Sequence, residues 1–142
     1  MENRENFDSL SELLIIDRDQ LDQELIEQSH YYMQISSKLA QAMEERDKLK
    51  DQVKILESSE GTRFRNLLHE ESGKKPTESA VLECVKQSQR VIEAQNVHRE
   101  MSRVVQDWQN LRDAWTQRSH SLKSLCDLYS ADYFPSKSAS KI

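Results

Sequence analysis

Apolar positions along this chain recur at alternating steps of four and three over two long stretches. The first runs Leu21, Leu25, Gln28, Tyr32, Ile35, Leu39, Ala42, Arg46, Leu49, Val53 and Leu56, interrupted only by the polar Gln28 and Arg46. Such a seam, sustained without proline, predicts one helix with a coiled-coil type of face over residues 19–70. Ser58, Ser59, Glu60 and Gly61 are expected to weaken it, because glycine is a poor helix former. The second stretch is loose through Val81, Val85, Val91, Ile92 and Val97, then strict at Met101, Val104, Trp108, Leu111, Trp115, Arg118, Leu122, Leu125 and Tyr129. It predicts a second helix over 78–134, with Thr77 as its cap. Between them ESGKKPT, residues 71–77, holds Gly73 and Pro76 and is the one clear break. Ahead of the first seam, Asp8 or Ser9 can cap a short helix over 8–16 carrying Leu10, Leu13, Leu14, Ile15 and Ile16. Tyr133 and Phe134 close the pattern, Pro135 stops it, and 135–142 read as a polar tail.

The expected fold is therefore all-α: a single domain, residues 1–142, built as an elongated hairpin of two long helices plus the short N-terminal one. Helices of this length would each run roughly 65 to 85 Å at 1.5 Å per residue, more than one small globule spans. Ile26, Tyr31, Met33, Met43, Val105, Cys126 and Leu128 lie off the seams and widen the apolar face, so a second packing surface, most simply self-association, follows. Composition agrees. With 36% hydrophobic and 32% charged residues in 142, a large spherical core is not expected without another chain. Two glycines and two prolines cannot supply the turns of a sandwich, a barrel or a doubly wound sheet.

The formal charge of −5 hides an asymmetry: residues 1–60 carry 7 Lys/Arg against 15 Asp/Glu, whereas 61–142 carry 13 against 10. The opening MENRENFDS has neither a basic nor an apolar leader region, and no stretch approaches a membrane span, so a soluble, cytoplasmic protein is expected. Cys84 and Cys126 are spaced as neither a disulfide framework nor a zinc knuckle. His30, His69, His98 and His120 share no helical ligand spacing, and no glycine loop could cradle a phosphate. No metal, no cofactor and no catalytic constellation is expected, and a nuclease would need clustered carboxylates that the spacing does not assemble.

The basic residues carry more. Arg63 and Arg65 stand just before the break and Lys74 and Lys75 within it, with only Glu70 and Glu71 against them. As a helix end this is a favourable solvated terminus. As a site it offers phosphate contacts, with Phe64 or His69 near enough in sequence to stack on an unpaired base. Arg118, on the seam among Trp115, Leu122 and Leu125, demands a partner, such as an acid of a neighbouring helix, or must snorkel to the surface. It can also fix register or oligomeric state. Trp108 and Trp115 read as core rather than as a stacking platform. Leu10 to Ile16 serve either as a docking strip or as a cap on the bundle.

The second helix reads Trp108-x-x-Leu111-x-x-Ala114-x-x-x-Arg118-Ser119-x-x-Leu122-x-x-Leu125-x-x-Leu128-Tyr129-x-x-x-Tyr133-Phe134. The first half has Ile16-Asp17 before a helix with Leu21, Glu24, Tyr32 and Leu39, then a basic pair ahead of a glycine-containing break. Over residues 10–134 this resembles the UvsY-type recombination mediators of tailed phages. The resemblance implies a non-enzymatic, ring-like homo-oligomer that binds single-stranded DNA. Such a protein helps a RecA-like, UvsX-type recombinase replace the single-strand-binding protein coating the strand. On it, Arg63 and Arg65 correspond to the DNA-contacting pair, with Lys74 and Lys75 as additional cations in the break. Trp108, Leu111, Trp115, Arg118, Leu122, Leu125 and Tyr129 fall in the oligomerising part. Gly61 beside the basic pair, the lysines of the break and the acidic first sixty residues depart from it. The competing expectation from the residues alone is a structural or adaptor coiled coil with no nucleic-acid role.

Overall fold

The computed structural model describes residues 2–134, with side chains from residue 4 onward. All regular structure among the described residues is helical: α1 (Glu2–Glu12), a 3-10 turn (Arg18–Gln20), α2 (Leu21–Ser72), α3 (Glu78–Gln87) and α4 (Gln89–Ser130). The all-α fold and the long antiparallel partners are as the seams predicted; the boundaries differ in four places. The N-terminal helix begins at Glu2 and ends at Glu12, so Asp8 and Ser9 lie inside it and Leu13 to Ile16 form a linker. The helix is drawn upstream by Phe7, whose ring meets Trp108 edge-on at 5.2 Å. Gly61 does not interrupt α2, which continues to Ser72 and stops there because Gly73 takes φ 66° and its N–H caps the His69 carbonyl at 2.8 Å. The second long helix is two helices, parted at Ser88, and it ends at Ser130 rather than 134. Thr77 caps α3 as expected, its hydroxyl accepting from the Ala80 N–H at 3.3 Å. The tail reading falls outside the described residues.

The chain divides into two compact units. The first unit comprises Met1–Leu39 and Asp107–Ile142. Its core is Leu10, Ile35, Leu39, Trp108, Leu111, Trp115 and Leu122, all buried. Trp115 is fully covered; its indole N–H donates to the Leu10 carbonyl at 3.2 Å, and Tyr31 packs on it at 5.5 Å. Leu10 is thus packed into this core, while Ile15 of the same strip is 82% exposed. Gln28 and Arg118, the polar interruptions of the two seams, meet: the guanidinium donates to Gln28 Oε1 at 2.6 Å, to the Leu14 carbonyl at 3.2 Å and to the Glu24 carboxylate, and lies 4.7 Å over the Trp115 ring. The expected acid on a neighbouring helix is Glu24. Burial draws the guanidinium's pKa below its ordinary value, yet arginine keeps its proton at neutral pH.

The second unit is Ala40–Gln106. Its buried apolar residues are Ala42, Val105 and a cluster of Val81, Val85 and Val91, with Leu56, Phe64 and Leu68 packed against the cluster. Here α2 lies against α3 and α4, tied by Gln95 donating to Glu57 at 3.4 Å and Arg90 donating to Glu60 at 3.3 Å.

Candidate nucleic-acid interface

In the second unit, the four cations singled out in the sequence lie on the last turns of α2 and in the connection to α3, with Arg63 and Arg65 on different faces of the helix; this stretch is the cationic corner. Arg63 extends along α2, bonded to Glu60 at 2.9 Å with its guanidinium 4.6 Å over the Phe64 ring. Its side chain remains 52% exposed. Arg65 presents Nε and Nη2 to the two oxygens of Glu78, both at 3.1 Å, a fork-to-fork pair between α2 and α3. The pairing raises the Arg65 pKa and, through that bond first, holds the Glu78 carboxyl below its usual range, with Lys75 adding to the effect. Lys74 and Lys75 are exposed in the connection, which Ser72 shapes by bonding the Lys74 N–H at 3.3 Å and carbonyl at 3.1 Å. Of the two aromatic candidates for base stacking, His69 is exposed. Phe64 is not open: one side packs against the valine cluster and Arg63 covers it.

A residue the sequence reading missed organises this corner. Glu60 is 1% exposed, inside α2, and receives Arg63, the Ser88 hydroxyl at 3.0 Å and Arg90. The bond from Arg63 leads in pulling its pKa down, helped by Ser88 and the charges of Arg63 and Arg90 and opposed by burial. Glu60 also accounts for the break after α3. Ser88 turns to ψ 124° so that its hydroxyl reaches the carboxylate, its N–H bonds Val85, and α4 restarts on its carbonyl through Ile92. The sequence signals available were the i, i+3 spacing of Glu60 and Arg63 and a serine at the end of a loosely periodic stretch.

Beside the corner runs a groove of about 550 Å³ between α2 and α3. Gly61, Val81, Leu82 and Val85 line it together with the charged Lys54, Glu57, Arg65, Glu78 and Lys86.

The residues assigned by resemblance to assembly lie in the first unit. Trp108, Leu111, Trp115, Arg118 and Leu122 are buried there by the chain's own helices. Leu125 is half-buried and Tyr129 39% exposed. No group of three or more His, Cys, Asp or Glu that could hold a metal occurs among the described residues, and both cysteines are unpaired. No described helix is long and apolar enough to cross a membrane. Comparison with protein families, with characterised proteins and with solved structures finds no match to this chain.

Proposed function

We propose that this chain is a single-stranded-DNA-binding recombination mediator of the UvsY type, without enzymatic activity. As a ring-like homo-oligomer in the host cytoplasm, it would help a RecA-like recombinase displace single-strand-binding protein from DNA. The observation that supports this reading is the cationic stretch at the end of α2 and in the connection to α3, where Arg63, Arg65, Lys74 and Lys75 are each exposed. Each can neutralise one backbone phosphate and release its counterions. One copy works against a net charge of −5. Copies side by side align their corners into a band whose local potential outweighs the acidic residues elsewhere. No covalent step is needed: binding that favours a recombinase-accessible strand shifts the exchange by mass action.

A second reading, a structural or adaptor coiled coil, draws on the ion pairs. Glu60 and Glu78 already occupy Arg63 and Arg65, as a purely solvated helix end would have it. Salt titration of oligonucleotide binding, run alongside mass measurement, separates the two. The mediator reading expects micromolar or tighter affinity at low salt and a species larger than a dimer. Changing Arg63, Arg65, Lys74 and Lys75 to alanine should reduce the salt slope by about 3 per chain, from about 0.7 per phosphate contact. Glu78→Gln, which releases the Arg65 fork, should tighten binding. Absence of binding at low salt, or affinity indifferent to the four substitutions, hands the protein to the adaptor reading.

A further inference from the structure

We propose that the outer face of α2 in the first unit pairs with the same face of a second copy, antiparallel, with the two-fold axis passing beside Met33. The pairing deepens the assembly part of the reading above and rests on it. The first observation is a gap in charge. Between Glu27 and Lys38 the chain has no Asp, Glu, Lys or Arg, although 32% of its residues are charged. Residues 1–60 carry 15 acids against 7 bases, so two copies repel across that half and approach where charge is missing. Uncharged surface bearing methionine is also what the centre of an interface selects. The second observation is apolar exposure: Ile26 is 70% and Met33 69% exposed, seven residues apart and therefore on one face.

The third observation is symmetry. Ser29 and Ser37, both exposed, stand four residues before and four after Met33. An antiparallel copy centred there sets Ser29 against the second copy's Ser37, and side chains this small let the two helices approach closely. Beside Met33 lies a hollow of about 580 Å³ between α1 and α2, lined also by Asn6, His30, Gln34, Ser37 and Lys38. Each flexible thioether can enter the hollow of the other copy. The first charges met on either side are opposite in sign: Glu27, six residues before Met33, and Lys38, five after. Glu27 accepts from Gln23 of its own helix, and Lys38 has no ion pair or hydrogen bond among the described residues. The same register brings each Glu27 to the second copy's Lys38, twice by symmetry. A polyanion or a strongly basic partner finds no run of charge here to match, whereas a second copy meets its own pattern. Such a contact closes at two copies, so it joins copies in pairs and a ring uses a further contact elsewhere.

The test uses the full chain and has two arms. In a background with Cys84 and Cys126 changed to serine, Met33→Cys, beside the axis, should oxidise to a covalent dimer, because a disulfide needs Cα atoms about 4.4–6.8 Å apart. Lys48→Cys, exposed on the charged continuation of α2, should stay uncrosslinked. The second arm is sedimentation of chains that keep both cysteines. Glu27→Lys and Lys38→Glu should each weaken pairing about tenfold by setting like charges together, and the two combined should restore it to within about threefold. Should the serine background fold poorly, this exchange carries the test. Copies that assemble but neither crosslink through Met33→Cys nor respond to the exchanges overturn the proposal and leave the mediator reading with another contact. Equal crosslinking by Met33→Cys and Lys48→Cys would be random collision and overturns it as well. A wild-type monomer that still binds single-stranded DNA also overturns the pairing; a monomer that ignores DNA sinks the mediator reading with it.

Discussion

Each unit buries a charge, and the two are treated in opposite ways. In the first, the buried ion is a cation: Arg118 is 6% exposed and its partners Glu24, Gln28 and Leu14 all belong to the enclosing helices and linker. In the second, the buried ion is an anion: Glu60 is enclosed, but the guanidinium-bearing partners Arg63 and Arg90 are 52% and 69% exposed. The Arg118 network is closed and can only hold the fold together. The Glu60 network ends in cations that face water and can meet an external phosphate. The same chemistry therefore specifies register in one unit and displays positive charge in the other, and solvent access of the cation decides which.

The largest effect that would test this contrast comes from the closed side. Trp115→Ala opens a cavity at the fully buried centre of the first unit and loses the indole bond to Leu10, and should cost about 4 kcal/mol in urea unfolding followed by circular dichroism. Next is Arg118→Met, which leaves the largely covered Glu24 carboxylate, 16% exposed, without its cation and should cost about 3 kcal/mol. The double change Arg118→Met with Glu24→Gln should recover part of that loss, since no lone charge remains. A single-variant cost inside about 0.5 kcal/mol, the range of ordinary surface changes, would mean that the cation is incidental to the first unit.

These networks also mark where the sequence was readable. The seam of α2 placed Ile35 and Leu39 in the core, and the strict stretch of α4 placed Trp108, Leu111, Trp115 and Leu122 there, because a heptad repeat is a local statement about one helix face. Arg118 was legible as a charge in need of a partner for the same reason. That its partners would include Gln28, the other seam's interruption, was not, since 90 residues separate them. Ser88 was missed because neither glycine nor proline marks the break. Its cause is the Glu60 carboxylate, 28 residues away in sequence. The loose spacing of Val81, Val85 and Val91 was the trace of that break, because interrupting a helix resets its phase. Phe7 lies ahead of the short helix expected over 8–16, and only the position of Trp108 gives its half-buried ring a partner. The cationic corner was legible as composition, but the engagement of Arg65 by Glu78 needed the fold.

The smallest predicted effect sharpens the open side and has a sign fixed by linkage. The Glu60 carboxyl is held below its ordinary value of 4.5, mainly by the bond from Arg63, so the native state binds fewer protons than the unfolded chain as the pH drops. Its contribution is complete above about pH 4.5 and is lost as pH falls through the lower folded value. Glu60→Gln removes that titration but preserves the shape. The melting temperature of wild type should exceed that of the variant by a constant margin from pH 7 to about 5, and the margin should shrink below about 4.5, where Glu60 of the unfolded chain takes up a proton that the native carboxylate still refuses. The Arg65 and Glu78 pair, also acid-sensitive, is present in both proteins and cancels in the difference. The margin should be smaller than for Arg118→Met, because water can solvate Arg63 and Arg90 once the carboxylate is gone. A margin as large as that of Arg118→Met, or one that persists undiminished at pH 3, would show that Glu60 works as a closed structural ion, and would remove the distinction between the two units.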